Sequence, residues 1–337
     1  MADRMRRLMR RPGAAQRARL LIPSWERIAP EDRRVVQVCH PDWLGVKAAT
    51  YAFRAPVFET SHPGEDAALI VAEAQEAGAR VVVVQAWPEG SAELIATCTR
   101  AGLETRAVIH SSMAQHGADH GEAQWAAAAL TMTRSGELGR VGFVKAGVSE
   151  AYRALGYPAE YLPNRVPVVP DVAPIDLGSG RHVGVFLDPY WRKNVTTQLG
   201  AAALLEATAH VTARPDVPYL ADADIVEHGR LRWEEMLALE ASMDLNLMVT
   251  LSECHPMTPM ESYLLGVPCL ISPTSALFVD DGVLWQMTTV TKLDDPSAIA
   301  AAASALLERS DEAVARARGW MAGHDTRAAE RFTEFTS

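Results

Sequence analysis

Two glutamates stand in a segment whose residue types suit a ligand that carries both phosphate and hydroxyl groups. Residues 252–272 have the sequence SECHPMTPMESYLLGVPCLIS, in which Glu253 and Glu261 are the two carboxylates. A carboxylate repels phosphate, but it accepts hydrogen bonds from hydroxyl groups. The alternatives are a solvated loop charge for Glu253 and a capping role for Glu261.

The same segment predicts a helix that begins shortly after a buried strand at 245–249. Thr258 is the expected N-cap, followed by Pro259 at the first helical position, and Gly266 is the expected stop. Glu261 would close a capping box with Thr258. Free backbone N–H groups and the dipole of such a helix favour an anionic diphosphate at its N-terminus.

A second strand-to-helix junction adds positive charge. A strand is predicted at 183–187 and a helix at 195–209, with Arg192, Lys193 and Asn194 between them. Asn194 is a suitable N-cap. Lys193 would neutralise a diphosphate as a point charge beside the helix N-terminus. A solvated basic pair is the alternative.

Strands and helices alternate in both halves of the chain, which is typical of parallel sheets covered on both faces. In the first half, strands are predicted at 35–39, 81–84, 106–109 and 141–144, and helices at 65–77, 91–101 and 125–133. The interval 163–180 holds four prolines and two glycines, as linkers do. After it come the strands described above, a strand at 269–271 and a helical tail at 296–335. Two such domains place a ligand cleft at the carboxyl ends of their strands.

The segment resembles the Glu-x7-Glu signature of retaining GT-B glycosyltransferases of the group 1 type. The residues that carry the resemblance are Glu253, Glu261, Ser262, Gly266 and Pro268. It implies an α/β GT-B fold, with two Rossmann-like, doubly wound parallel-sheet domains that face a central cleft. It also implies transfer of a sugar from a nucleoside-diphosphate-sugar donor to an acceptor, with retention of anomeric configuration.

The resemblance assigns roles to individual residues. Glu253 would lie at the donor hexose, Glu261 at the donor ribose, and Lys193 at the diphosphate. His110, which follows the strand at 106–109, would reach the donor sugar from the N-terminal domain, although a histidine that merely ends a strand is the alternative. Further donor contacts would come from the neighbouring loops: Arg192, Asn194, His255, Pro256, Met257 and Thr258. For His255, a simple loop histidine is the alternative.

The resemblance also implies a domain organisation. The N-terminal, acceptor-side domain would comprise residues 1–165 joined by the C-terminal helix 320–337, and the donor-binding domain would comprise 181–319 after a linker at 166–180. Gly45 and Trp43, after the first strand, would contact the acceptor. The chain has one glycine there where most relatives have two, and no arginine five residues before Lys193. These departures keep a non-catalytic scaffold open as an alternative.

Charge and cysteine content exclude other classes of protein. The net charge of −10 argues against a nucleic-acid binder. The first 20 residues hold seven arginines and one aspartate, a net charge of +6, so this arm could touch an anionic membrane surface or an acidic partner, or simply be solvated. The four cysteines are widely spaced. With no apolar signal segment, they indicate a reducing, cytoplasmic setting, with the arm allowing peripheral membrane contact.

Two short patterns suggest metal chemistry instead. Asp222 and Asp224 form a D-x-D, which would make a metal-dependent glycosyltransferase of another fold. His116 and His120 have metal-ligand spacing with Glu122 nearby, but Gly117 and Gly121 argue against a helix that would align them. We therefore expect no metal site and no cofactor, the nucleotide sugar being a substrate.

Overall fold

The computed structural model describes residues 19–21 and 34–337. The basic arm lies outside these residues, apart from Arg19. Among the described residues, the N-terminal half forms seven strands: β1 Arg19–Leu21, β2 Val35–Cys39, β3 Val57–Glu59, β4 Val81–Gln85, β5 Glu104–Ile109, β6 Arg140–Phe143 and β7 Glu160–Tyr161. Its helices are α1 Leu44–Ala52, α2 Ala67–Glu76, α3 Ser91–Arg100, α4 Met113–Ala118, α5 His120–Ser135 and α6 Val148–Ala154.

These strands form one sheet in the order β1-β3-β2-β4-β5-β6-β7. Only β1 is antiparallel to its neighbour among the strands described in this sheet. Every residue of β2 and β4 is buried, which explains their continuous valine-rich sequences, since helices cover both faces of a parallel sheet.

The C-terminal half forms a second sheet. The part of this half that the structure describes has five strands: β8 His182–Val185, β9 Thr208–Val211, β10 Ile225–Glu227, β11 Leu245–Met248 and β12 Cys269–Ile271. Its helices are α7 Val195–Leu204, α8 Trp233–Glu240, α9 Thr258–Leu265, α10 Gly282–Thr288, α11 Pro296–Leu307 and α12 Ser310–Thr336. The strands are parallel, in the order β10-β9-β8-β11-β12.

The strand order reverses between β8 and β11. In an open parallel sheet, the loops that leave adjacent strands at such a point diverge to opposite faces and leave a crevice at the carboxyl ends. The loops after β8 and β11 are those in which the sequence places Lys193 and Glu253. The fold is therefore the expected one, two Rossmann-like domains in the GT-B arrangement.

Two predicted helices are wrong in extent. The helix predicted over 195–209 ends at Leu204, and residues 208–211 form strand β9. Glu206 adopts a φ of 52° between them, which stops the helix. The predicted helical tail is two helices, because Arg309 leaves the helical conformation between α11 and α12.

Helix α12 contacts the cores of both halves. Ala313, Ala317 and Met321 pack into the core around the second sheet. Phe332 and Phe335 pack with Val83 and other residues of the first sheet. The domain boundaries given above stay a prediction, but one rigid helix joins the two cores.

None of the helices in the described ranges combines the length and the apolar character needed to span a bilayer.

Candidate active site

The loops after β8 and β11 hold the charged residues that the sequence singles out. Lys193 Nζ lies 2.5 Å from Glu253 Oε2, and Arg192 Nη1 lies 3.9 Å from the same oxygen. The Lys193 and Glu253 side chains are only 15% and 11% exposed. The structure brings the three residues together, but Lys193 neutralises Glu253 directly, whereas the sequence interpretation had placed it against a diphosphate.

Backbone contacts fix these two loops against each other. Leu251 N donates to Arg192 O over 2.8 Å. Asn194 occupies the N-cap position of α7 with a φ of 56°, yet its side chain does not cap the helix. Instead, Asn194 Nδ2 donates to the carbonyl oxygens of Val249, over 3.1 Å, and Leu293, over 2.5 Å. The expectation of a side-chain cap is wrong, because the buried amide donates instead to a carbonyl just after β11 and to one in the turn before α11.

Helix α9 begins one residue earlier than the sequence predicts. Met257 holds the N-cap position without a side-chain cap, and Thr258 is the first helical residue. The predicted capping box between Thr258 and Glu261 is therefore wrong. The Glu261 carboxylate turns inward, where its Oε1 accepts a hydrogen bond of 3.2 Å from Trp233 Nε1. The packing of α8 against α9 thus decides the orientation of Glu261.

Glu261 lies in a buried acidic environment. Glu261 is 6% exposed and Glu240, at the end of α8, is 2% exposed. Burial raises the pKa of Glu261 to about 7, with the Trp233 hydrogen bond acting in the opposite direction. Burial and the charge of Glu261 raise the pKa of Glu240 well above its ordinary range. Two carboxyl groups so placed do not both ionise readily near neutral pH.

The loop that precedes α9 offers its backbone more than its side chains. The His255 ring is buried and stacks on His324 of α12, with 4.9 Å between centroids. The Met257 side chain belongs to the second core. Pro256 has no N–H to donate. Of the four residues predicted to contact the donor here, Thr258 alone keeps a partly exposed side chain.

His110 ends a buried polar chain at the carboxyl edge of the first sheet. Gln85 Nε2 donates to Gln37 Oε1 over 2.7 Å, so Gln85 Oε1 is an acceptor for His110 Nε2 at 2.8 Å. This chain of contacts assigns the proton to His110 Nε2 and leaves Nδ1 as an acceptor. Burial lowers the pKa of His110 to about 4, which keeps the ring neutral. Sequence inspection missed both glutamines, although polar residues within valine-rich strands could have indicated them.

Three contacts cross from the first domain to the loops of the second. Ser112 Oγ lies 3.1 Å from Ser252 Oγ, and Cys254 Sγ lies 3.1 Å from Gln115 Oε1. Lys145, which follows β6, donates from Nζ to the Thr274 carbonyl oxygen. The Ser112–Ser252 contact thus places the segment after His110 beside the residue that precedes Glu253. Lys145 is a cleft cation that the sequence interpretation missed, and its position just past a strand end is the signal that could have found it.

The hinge between the domains is tied to the same loop. Asn164 Nδ2 donates to His255 O over 2.7 Å, and Asn164 O lies 2.9 Å from His324 Nε2. Asp325 pairs with Arg165 at 2.8 Å. Asn164 therefore connects the loop before α9 to helix α12.

The two residues predicted to contact an acceptor lie at the start of α1. Trp43 occupies the N-cap position, and its ring stacks on His40, at 4.7 Å between centroids, and on Trp125, at 5.3 Å. Gly45 is exposed, and a Cβ at this position would meet no atom within 4 Å. Gly45 thus faces open space, whereas the partly buried Trp43 ring packs against two other rings.

The two metal-like patterns lie in unsuitable places. Asp224 precedes β10 and accepts a hydrogen bond of 2.6 Å from Thr208 at the amino end of β9, the edge of the sheet opposite the cleft. The His116–His120 interval is divided between α4 and α5 by Asp119, which caps α5. Within the described ranges, no three His, Cys, Asp or Glu side chains converge as a metal site would require.

The chain matches no family model and no curated protein by sequence. It is similar in structure to the apo form of OtsA, with a TM-score of 0.61, 10% identity and coverage of 90% of this chain and 99% of that one. It is also similar to TarM of S. aureus, determined with UDP, fondaparinux and α-GlcNAc-glycerol, with a TM-score of 0.61, 12% identity and coverage of 81% and 59%.

A third similar structure is HepE of Anabaena in complex with UDP, with a TM-score of 0.57, 13% identity and coverage of 89% of this chain and 100% of that one. Coverage of both chains from end to end places this chain in the GT-B class of folds. At these levels of identity the likeness establishes the fold alone.

Proposed function

We propose that this chain is a glycosyltransferase that moves a sugar from a nucleoside-diphosphate-sugar donor to an acceptor that carries a hydroxyl group. The observation that carries the proposal is the meeting of Lys193, Arg192 and Glu253 at the strand-order reversal of the second sheet, opposite His110. Similar structures were determined with UDP or a UDP-sugar bound, which supports UDP as the first nucleotide to test.

In this proposal the second domain holds the donor. The diphosphate lies at the N-terminus of α9, and Lys193 shifts from Glu253 to a phosphate oxygen as the donor enters. Glu253, freed of its partner, accepts hydrogen bonds from hydroxyl groups of the sugar, and Glu261 does so from the ribose. His110 Nδ1 accepts a further sugar hydroxyl from the first domain. Catalysis then consists of positioning and of stabilising the leaving diphosphate.

Retention of anomeric configuration is part of the proposal because the Glu253–Glu261 spacing resembles that of retaining enzymes. We also propose that transfer needs neither a metal ion nor a cofactor, and that the protein works in the cytoplasm, with the basic arm as its contact to an anionic surface. The acceptor binds at the first domain, near Trp43 and Gly45.

A thermal-shift screen of UDP-, GDP-, ADP- and TDP-sugars tests the donor. A ligand at 100 times its Kd stabilises the folded protein by about 2.7 kcal/mol, which raises Tm measurably. Lys193→Met should abolish the shift, while Arg309→Met, which removes a charge that pairs with Glu312 away from the cleft, should leave it unchanged.

A non-catalytic scaffold is the second candidate, and the Lys193–Glu253 pair favours it, because a mutually neutralised pair needs no ligand. Binding of a partner without any shift from the four nucleotide sugars would support the scaffold and contradict the enzyme.

A further inference from the structure

Glu122 belongs to the first domain and interacts electrostatically with the charged residues of the two loops described above. It occupies the first turn of α5, after the N-cap Asp119. The residue is partly buried. Its Oε2 atom is shielded from solvent and receives no hydrogen bond from the residues that the structure describes. A buried acceptor without a donor is uncommon and costs free energy, so its presence calls for an explanation.

The charges around Glu122 belong to the donor side of the proposed site. Arg192, Lys193 and Glu253 all act on it electrostatically across the cleft, and Glu122 in turn acts on Cys254. Burial raises the pKa of Glu122 above its ordinary range; the Asp119 and Glu253 charges add to the increase, and Arg192 and Lys193 oppose it. A carboxylate in such a place binds a proton more readily than one on the surface.

The position of Glu122 restricts what its partner could be. A diphosphate would be repelled, and Arg192 and Lys193 are the groups suited to it. The partner must therefore donate a hydrogen bond and arrive from the first-domain side of the cleft, where Trp125, one turn further along α5, stacks on Trp43. In a glycosyl transfer the acceptor hydroxyl meets both conditions.

We propose that Glu122 binds the attacking hydroxyl of the acceptor and takes up its proton during transfer. This inference rests on the proposed function. The acceptor oxygen forms a bond to the anomeric carbon on the same face from which the diphosphate leaves, so that the configuration is retained, while its proton passes to Glu122 Oε2. The bond from the anomeric carbon to the diphosphate oxygen breaks, and its electron pair leaves with the diphosphate beside Lys193. Glu122 later returns the proton to water.

The test compares Glu122→Gln with the parent and with Glu137→Gln, an exposed glutamate just beyond the far end of α5. The donor is the sugar nucleotide that the thermal-shift screen selects, with water and then glycerol as the acceptor, and release of the nucleoside diphosphate is followed. Glu122→Gln should keep the donor Kd within about threefold and lower kcat by about 100-fold, a usual effect of losing a general base.

The pH profile separates this role from a structural one. The parent should lose kcat as pH falls through the pKa of Glu122, and the Gln variant should lack this limb of the profile. Glu122→Asp should recover part of kcat. If Glu122→Gln folds poorly, Glu122→Ala replaces it in the test and should show the same loss of kcat and of the acid limb of the pH profile. If the Gln variant keeps both the parent kcat and the parent pH profile, the proton leaves with the diphosphate and the inference is wrong. If the parent itself neither binds nor turns over any sugar nucleotide, the proposed function fails as well.

Discussion

Lys193 and Glu253 form a close ion pair. Each is largely buried, so each leaves an uncompensated charge if its partner is removed. In the proposed function, the donor diphosphate takes the place of the carboxylate at Lys193, and hydrogen bonds from sugar hydroxyl groups then satisfy Glu253.

In the proposed function Glu253 lies at the sugar and Glu261 at the ribose, so substitutions of these two glutamates should differ in their kinetic effects. Glu253→Gln removes a group at the reacting sugar, so kcat should fall by roughly 100-fold with little change in donor Kd, as for other transition-state contacts. Glu261→Gln, at the ribose, should mainly raise the donor KM, because that contact is similar in the ground and transition states. Calorimetric donor titration and steady-state kinetics on both variants check this. Parental binding and turnover in both would contradict the assignment.

The buried Glu240–Glu261 pair should make stability fall as pH rises. A carboxyl whose pKa is higher in the folded than in the unfolded protein binds more protons when folded, so stability is lost from about pH 4.5 through about pH 7 for Glu261. Glu240→Gln removes one of the two charges and should flatten this loss, at about 1.4 kcal/mol per unit of pKa shift. Urea unfolding at pH 5 and pH 8 measures it, with the exposed Glu308→Gln as control. Equal slopes for parent and variant would argue against the pair.

Three histidines form a row across one face of the second sheet. His182 Nδ1 lies 3.0 Å from His210 Nε2, and His210 Nδ1 lies 2.9 Å from His228 Nε2. Each contact needs one ring nitrogen that carries a proton and a second that is deprotonated and accepts. Burial, followed by the neighbouring His228 and His182, lowers the pKa of His210 to about 4. The row is thus a structural feature that acid should disrupt.

We expect the stability that this row contributes to be complete above pH 6.5 and to be lost as pH falls through about pH 4, since the unfolded chain then binds more protons. His210→Gln should be less stable than the parent at pH 7 but should show a flatter profile below pH 6.5. Thermal unfolding between pH 4 and pH 8 measures this, with the exposed His62→Gln as control. A profile as steep as the parent's would show that His210 is not responsible.

Helix α12 should be required for the stability of the first domain. Phe335 is 1% exposed, and Phe332 stacks on Phe53 with 4.3 Å between centroids. Phe335→Ala should therefore cost about 3–5 kcal/mol of unfolding free energy, as for other buried phenylalanines. Glu330→Ala, on an exposed position of the same helix, should cost little. Urea titration checks both, and a loss below about 1 kcal/mol for Phe335→Ala would contradict the packing role.

At the scale of the whole molecule, the two sheets face each other across a cleft. Among the described residues, ion pairs and hydrogen bonds join the two domains across it. Asp42 pairs with Arg230 at 3.1 Å, Ser112 meets Ser252, and Lys145 reaches Thr274. The described contacts between the two halves are also apolar: Cys254 packs into a core cluster of the first sheet, and Ala49 and Ala52 pack into the core around the second. Asn164 further ties the loop before α9 to helix α12, through its contacts with His255 and His324.

Turnover should be independent of divalent ions, because Asp222 and Asp224 lie at the amino end of the second sheet, away from the cleft. Addition of EDTA should leave the rate unchanged, and Asp222→Ala should change kcat/KM by less than about threefold. Full inactivation by EDTA with recovery in Mn²⁺ would favour the metal-dependent alternative.

Local signals in the sequence predicted several of the strands and helices, but they gave the helix at 195–209 and the tail at 296–335 the wrong extent. Valine-rich runs predicted β2 and β4. Gly102 and Gly266 predicted the ends of helices, and these glycines have φ of 78° and 93°. These signals are local, because the conformational freedom of a glycine and the pattern of apolar residues along a strand or helix each depend on only a few neighbouring residues. The fold class and the loops that carry Lys193 and Glu253 follow from them.

Tertiary structure alone decided which of these residues meet. Lys193 and Glu253 are 60 positions apart and pair because β8 and β11 are neighbours in the sheet. Glu261 seemed a capping residue, but α8 brings Trp233 and Glu240 to it. Glu122 seemed part of a metal pattern, but in the structure it interacts electrostatically with Lys193 of the opposite domain. Partners and burial depend on strand order and domain packing, and those arise from contacts far apart in the chain.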